Sequence, residues 1–383
     1  MNKLIIVGNG FDIHNGLPTK YSDFLKWIIT KAIESNELEE LVDIESSEIV
    51  NQHVNNSLIV DSIGEIVDYF LDYKNGYFIN EGKPFYFKSK FRWFNFNVNK
   101  MSEFLKSLFS HQSDKNWVDI EMMYYQKLKK CLKLMQKDEK SIEDETKLLS
   151  INKEFDIIKK FLSIYLKQVI ESRKKVNYDF DYSAASEIDV DTIKEKNHIK
   201  NLLNEDFTGE NKKYIKPKEV CFLNFNYTRL TYDLERRNYQ HINIHGNVKG
   251  DINNRPVFGF GDEIDADYLE MEKTNNNEFF THIKSFEYFK NSNYNDLIEF
   301  INSDSYIVYI WGHSCGLSDR TLLNMIFEHD NCAAIKPYYW NKKDGTNNYT
   351  EITHNISRHF KNKLKMRNRV VSFDKCSALG SPQ

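Results

Sequence analysis

The chain opens on an uninterrupted apolar run, Leu4, Ile5, Ile6 and Val7, which stops at Gly8-Asn9-Gly10. A short run without polar alternation suits a strand buried on both faces, and two glycines around an asparagine allow a sharp turn with close backbone approach. Gly16-Leu17-Pro18-Thr19 follows, and then Phe24, Leu25, Ile28, Ile29, Ala32 and Ile33 recur at helical spacing. The pattern predicts an amphipathic helix over residues 21–35 with Thr19 as its N-cap. Strand, glycine turn and helix is the arrangement in which exposed N–H groups cradle a pyrophosphate. Ile13 stands where the third glycine of G-x-G-x-x-G would fall, so the turn is not a dehydrogenase fingerprint. An ordinary strand-to-helix turn without a ligand fits the same window.

Beyond residue 36 the pattern changes. Residues 37–73 mix polar and apolar positions and read as short helices; residues 76–98 alternate aromatics with Lys, Asn and Arg and read as a hairpin or two edge strands. Helical periodicity then dominates over 98–109, 119–135 and 142–173, the last with Leu148, Phe155, Ile158, Phe161, Leu162, Tyr165 and Val169 on one face. Residues 174–217 are polar and irregular, a return connection. From Glu219 strands and helices alternate: strands at 220–228, 241–248, 306–311, 332–340 and 370–373, helices at 230–237, 279–302, 318–329 and 352–364, with the glycine-containing loop VFGFGDE at 257–263. The expectation is an α/β fold, a Rossmann-like, mostly parallel sheet with helices on both faces, formed by residues 1–36 and 216–383. A large, mainly helical insertion over 37–215, with an aromatic hairpin near 76–98, interrupts it.

Composition narrows the function classes. With 383 residues, 40% apolar and 28% charged, the chain reads as a soluble globular protein of two domains or of one with an insertion. A net charge of −4 gives no general attraction to nucleic acid or membrane. Cys131, Cys221, Cys315, Cys332 and Cys376 show no C-x-x-C or Cys/His spacing, so reduced thiols in a cytoplasmic setting and no metal site are expected. The first apolar run breaks at Gly8, unlike a signal peptide, and no window reaches the roughly 18 apolar residues of a membrane span.

In an open parallel sheet, ligands sit outside the carboxyl ends of the strands. Four strand ends here are rich in Gly, Asn and His: Gly8-Asn9-Gly10-Phe11-Asp12, Asn224-Phe225-Asn226-Tyr227-Thr228, His245-Gly246-Asn247, and the turn from Gly312, His313 and Ser314 to Asp319. A single His or Asn at such a place is commonly structural; four together point to a site. His245 can act as a base near neutral pH, and the Asn226 amide can orient a water or hydroxyl without adding charge. Asp119 and Glu121, in NWVDIE at Asn116–Glu121, either close a site or cap a helix.

These segments resemble the AbiH family of bacteriophage abortive-infection proteins. The resemblance is carried by GNGFDIHNGLPTKYSDFL at Gly8–Leu25, NWVDIE, LNFNYT at Leu223–Thr228, INIHG at Ile242–Gly246 and WGHSCGLSD at Trp311–Asp319, in that order over nearly the whole chain. AbiH-like proteins are in turn similar to sirtuin-type NAD-binding domains. That likeness implies catalytic roles for Asn226 and His245, a pyrophosphate held at Gly8, Asn9 and Gly10, and a ribose or adenine side lined by Gly312, His313 and Ser314. Phe11, Asp12 and Asp319 complete the implied cofactor-binding set, with Asp12 a second candidate for ribose hydroxyls. The sequence departs from the sirtuin pattern in two places: Thr228 stands where an Asp follows Asn-Tyr, and Phe11-Asp12 replaces a small residue and a Ser. Zinc-binding cysteines are absent, so protein deacylation is not expected.

The implied function is a gated hydrolase of NAD that cleaves the nicotinamide–ribose bond in anti-phage defence, with NAD as substrate or ligand. Gating is required because constant hydrolysis of NAD would poison the host. Expected partners are the nucleotide, a phage-derived or host trigger and a second copy of the chain; membrane and nucleic acid are not expected. The chief alternative is a non-catalytic sensor of NAD, ADP-ribose or another nucleotide. A serine hydrolase using GHSCG at Gly312–Gly316, with Ser314, Asp330 and His354 or His359, is a further alternative that leaves Gly8–Asp12 and His245 unused. A nucleic-acid effector using Phe85–Phe96 is the last.

Overall fold

A computed structural model describes residues 1–49, 58–59, 65, 67, 85–89, 92–109, 117–137, 142–171, 180, 184, 186–195, 214–231, 239–249 and 255–380. Two compact units emerge, residues 1–19 with 166–383, and residues 20–165.

The first unit is built on five strands, β1 (Asn2–Val7), β2 (Val220–Asn224), β3 (Gln240–Asn243), β4 (Tyr306–Trp311) and β5 (Cys332–Pro337). All neighbours pair in parallel, in the spatial order β3-β2-β1-β4-β5. This is the order of Rossmann-type sheets, in which the chain reverses direction across the sheet between β1 and β4 and leaves a crevice beyond their carboxyl ends. Every residue of β1, β2 and β4 is buried, as their unbroken apolar runs predict. Leu4 and Ile6 of β1 join Val308, Ile310, Cys221 and Leu223 in a core. That core is closed by Leu297, Phe300 and Ile301 of a helix at Asn293–Ser303, Leu322, Leu323 and Ile326 of one at Arg320–Glu328, and Ile352 and Ile356 of one at Tyr349–Arg358.

Two elements beside the strand ends depart from expectation. The turn after β1 enters a helix at once, α1 (Asn9–His14), with Gly8 extended at its N-cap. Weak helix formers at Asn9 and Gly10 hide it in the sequence; Phe11 anchors it from within, edge-on to Phe180 at 4.7 Å and stacked on Trp311 at 6.0 Å. The predicted helix over 279–302 is broken: a 3₁₀ turn at Asn277–Phe280 precedes α2 (Lys284–Tyr288), and Asn293–Ser303 forms a separate helix. The predicted helix at 318–329 begins as a 3₁₀ turn, Leu317–Asp319, and becomes α-helical at Arg320. Residues 370–373, expected as a strand, add only an isolated bridge from Val370 to Ile335 and lead into a 3₁₀ turn at Phe373–Lys375. The helix expected at 230–237 lies largely outside the described residues.

The second unit combines helices with a four-stranded sheet. Val42–Ile49 pairs antiparallel with Arg92–Met101, which pairs antiparallel with Phe85–Ser89, and Leu58–Ile59 adds a short parallel edge. The strand at Val42–Ile49 replaces an expected helix; Val42 and Ile44 alternate with Asp43 and Glu45, a period of two that its many polar residues obscure. Residues 98–101 likewise continue a strand rather than start a helix, which opens at Glu103. The hairpin near 76–98 is described only over 85–89 and from 92 onward. Its long helices, Trp117–Lys137 and the first part of Ile142–Glu171, meet through Tyr124, stacked on Phe155 at 4.2 Å and donating to Asn152 Oδ1 at 2.7 Å.

Candidate functional site

The turns after β1 and β4 interlock. Gly8 N–H donates to Trp311 O at 3.0 Å and Gly10 N–H to Gly312 O at 2.8 Å. A Cβ on Gly8 would lie 2.5 Å from His313 Cα, and one on Gly312, at φ +67°, would lie 2.2 Å from Phe11 N. These glycines let two backbones meet at the switch point. Phe11 N–H turns back to Gly8 O, so within Gly8–Phe11 the Asn9 N–H is the amide without a backbone acceptor. The Asn9 side chain donates to Thr19 O at 2.8 Å; the helix of the second unit starts one residue later than Thr19 capping predicts, with Lys20 N–H donating to Asp23.

Beyond β2, Asn224 shapes the next turn. Its Oδ1 accepts from Asn226 N–H at 3.0 Å, and its Nδ2 donates to Thr228 O at 2.7 Å and to Asn243 Oδ1 at 3.1 Å. Asn226 is thereby aimed at α1, where its Nδ2 donates to Gly8 O at 3.1 Å and to Asp12 Oδ1 at 2.9 Å. Thr228 Oγ1 donates to the other Asp12 oxygen at 2.7 Å. The two departures from the sirtuin pattern are therefore one hydrogen-bonded pair: the carboxylate sits on α1 and the hydroxyl on the Asn-Tyr-Thr turn. Both amide hydrogens of Asn226 are engaged, which leaves its Oδ1 as the acceptor it can offer.

The turn after β3 carries His245. Its Nδ1 lies 3.1 Å from Phe225 O, which can only accept, so Nδ1 bears the proton and Nε2 the lone pair of the neutral ring. Nε2 faces Tyr288 Oη at 3.3 Å and Asp319 Oδ1 at 3.2 Å. His313 has the opposite tautomer: its Nδ1 accepts from Cys315 N–H at 3.0 Å, and its Nε2 faces Asp319 Oδ2 at 3.6 Å. Cys315 stands at φ +52°, the conformation that turns its N–H back onto His313. Lys284, outside every sequence motif, reaches Asp319 Oδ1 at 2.7 Å. The Asp319, Lys284 and His245 side chains are all 5% exposed or less, so the low dielectric makes each charge matter.

Burial, reinforced by the Lys284 cation and opposed by Asp319, lowers His245 to about 4. Burial also lowers His359, whose Nε2 donates to Cys315 O at 2.9 Å, to about 4. Burial alone would raise Asp319; Lys284 and then His245 outweigh it and hold the carboxyl well below its usual range. The sign follows. Between pH 6.5 and about 4 the unfolded chain binds protons that the folded imidazoles refuse, so stability falls as pH drops through that window. The cost is on the order of 3 kcal/mol for each imidazole across the window, and protonation of Asp319 adds to it at lower pH. Urea midpoints at neutral and mildly acidic pH check this: a steep acid loss is expected, and a smaller one for His245→Gln.

The remaining candidates fall elsewhere. Ser314 is half-buried, its carbonyl accepting from Asn355 at 2.8 Å, and its hydroxyl bonds none of the proposed partners. His359 is held on Cys315 O, Asp330 pairs with Lys365 at 2.9 Å on the surface, and no hydrogen bond joins His354 to Ser314, so among the described residues no hydrolase triad assembles. Glu121 is buried in the second unit, while the Asp119 side chain and those of residues 85–97 lie outside the described residues. The five cysteines are free, and among the described residues there is no metal-binding cluster of His, Cys, Asp or Glu and no helix long and apolar enough to cross a membrane. Lys284 escaped the sequence reading, and Asn224, named there only as part of a strand end, was given no role of its own. Asn224 lies within the LNFNYT motif, and the signal for Lys284 was indirect, in the paired glycines of VFGFGDE.

Among curated proteins and among solved structures nothing matches the chain. The family profile described as bacteriophage abortive infection AbiH matches residues 4–340, a span that reaches all five strands of the parallel sheet and includes Asp12, Asn226, His245, Lys284, His313 and Asp319. The chain belongs to the AbiH family of bacteriophage abortive-infection proteins.

Proposed function

We propose that the protein acts in phage abortive infection as a gated hydrolase of NAD that cleaves the bond between nicotinamide and ribose. One observation supports this above the others: the Asn226–Asp12 and His245–Asp319 pairs stand on turns that follow the strands of the sheet and are linked through Phe225, whose carbonyl accepts from His245 Nδ1, at the end where a Rossmann-type sheet takes its ligand. In the reaction the C1′–N bond breaks with its electron pair passing to the pyridinium nitrogen, and nicotinamide leaves neutral. Water adds to the oxocarbenium-like carbon. Asn226 Oδ1 accepts a hydrogen bond from that water or from a ribose hydroxyl, His245 Nε2 takes the proton, and Asp319 balances the imidazolium. The Asp12 carboxylate faces the developing positive charge, and the Asn9 amide is offered to phosphate.

Gating fits the closure of the site. His245 is 4% exposed and Asn226 7%, so substrate reaches them only after a covering segment moves. α2 is that segment, since it carries both Lys284 and Tyr288 onto the cluster. A phage-derived or host trigger, or assembly with a second copy, would supply the motion. The same closure favours a second reading, a sensor that binds NAD or ADP-ribose without cleaving it. Incubating NAD with protein purified from resting and from phage-challenged cells, and measuring free nicotinamide, separates the two. Release is expected from the challenged preparation, with a fall of roughly 100-fold or more in His245→Ala and Asn226→Ala. Saturable binding without release favours the sensor, and neither from either preparation removes the proposal.

A further inference from the structure

We propose that Lys284 is a positioning residue of this site, which keeps His245 neutral, with its Nε2 lone pair available, by holding the Asp319 carboxylate. The inference rests on the base role of His245 for its meaning in catalysis, but not for its test.

The geometry is a competition for one oxygen. Asp319 Oδ1 receives Lys284 Nζ at 2.7 Å and lies 3.2 Å from His245 Nε2. With the Nδ1 proton committed to Phe225 O, an unprotonated Nε2 and a carboxylate oxygen are two acceptors facing each other. That arrangement holds while an ammonium group occupies the oxygen between them. Take the ammonium away and the cluster keeps a buried negative charge, which the nearest group able to take a proton then neutralises. Four other groups face His245. Tyr288 comes from α2, His313 and Asp319 from the turn after β4, and Tyr227, stacked at 6.1 Å, from the turn after β2. His313 cannot take the proton cheaply: Nδ1 would have to give up the Cys315 N–H it accepts. Tyr227 donates to Val257 O. Asp319 itself, a carboxylate with an ordinary midpoint of about 3.9 against about 6.5 for an imidazole, is the weaker base, so the proton goes to His245.

The chain is shaped to deliver this lysine. Phe260 N–H donates to His282 O and Lys284 N–H to Phe260 O, pinning the start of α2 to the VFGFGDE loop. A Cβ on Gly259 would lie 2.0 Å from His282 O, and one on Gly261 would lie 2.8 Å from Ser318 O and 3.4 Å from Lys284 Cβ. Both glycines thus leave room for the lysine segment to pass against the Asp319 turn. The function of that loop, opaque in the sequence, is to seat Lys284. If a trigger lifts α2, the lysine leaves with it, and the same motion that opens the site changes the protonation of its base.

The test is an NMR titration of the His245 imidazole in the resting protein, assigned with His245→Gln, for wild type, Lys284→Met and Lys284→Arg. Wild type should stay neutral well below the ordinary histidine midpoint. In Lys284→Met the midpoint should rise by roughly 3 pH units or more, to above the ordinary histidine value, and Lys284→Arg should restore the low value. Thermal melting gives an independent sign. Wild type gains stability as pH rises from about 4 to 6.5, whereas Lys284→Met, with a raised imidazole, should lose stability as pH rises through the new midpoint. An unchanged midpoint in folded Lys284→Met overturns the proposal. So does failure of that variant to fold at mildly acidic pH, where His245 should have replaced the missing charge. Because the titration needs no substrate, its outcome is independent of whether NAD is cleaved; if nicotinamide release is measurable, its acid limb should move up with the midpoint.

Discussion

Gly312→Ala is expected to lose roughly 3–5 kcal/mol of stability and to abolish the site with it, because positive-φ strain and overpacking act at one atom. The added methyl would lie 2.2 Å from Phe11 N, 2.5 Å from Gly10 C and 2.8 Å from Gly10 Cα, all backbone that no rotamer change can move. Relief requires separating α1 from β4, which breaks the Gly10–Gly312 hydrogen bond and withdraws Asp12 from Asn226 and Thr228. Gly345→Ala is the control. It has φ +83° but nothing within 4 Å of the new Cβ, so only conformational strain of about 1 kcal/mol remains. Chemical denaturation of both variants measures the difference; equal losses would show that the contact between the two turns contributes nothing.

Asp319→Ala should cost a comparable amount, roughly 3–5 kcal/mol, for an electrostatic reason. Lys284 is 1% exposed, and in this variant its ammonium loses the carboxylate that holds it. Neither imidazole beside it replaces that charge, since His245 and His313 are neutral or positive and cannot compensate a cation. The asymmetry with Lys284→Met is informative, because there His245 can take a proton and restore neutrality. Combining Asp319→Leu with Lys284→Met should recover most of the loss, as buried ion pairs generally break even against apolar replacements. A loss below about 1 kcal/mol for Asp319→Ala would mean that water reaches the cluster.

The parts of the fold that were legible are those in which one physical signal acts alone. Leu4–Val7 of β1 and the whole of β4 are unbroken apolar runs buried on both faces, and the helix at Trp117–Lys137 repeats its apolar face over 21 residues. The strand at Val42–Ile49 was obscured because its alternation mixes with serines and acids. α1 could not be read locally, since Asn9 and Gly10 disfavour a helix that tertiary contacts at Phe11 and Asp12 hold in place. The site divides the same way. Asn226, His245, His313 and Asp319 stood out because polar residues at strand ends are conspicuous. Lys284 did not, because a lysine among aromatics and other charges reads as surface, and its burial against Asp319 shows only in the folded chain. Sequence motifs also suggested that Gly8 and Gly10 present their amides to phosphate; both amides instead close the β1–β4 junction.

One nucleotide site at these strand ends is tested most directly by titrating ADP-ribose into the protein while following the imidazole signals of His245 and His313. Saturable shifts of both signals together are expected, weakened in Asn226→Ala and in Asp12→Asn. Unchanged signals from both rings up to millimolar ligand, in a protein shown to be folded, would contradict it.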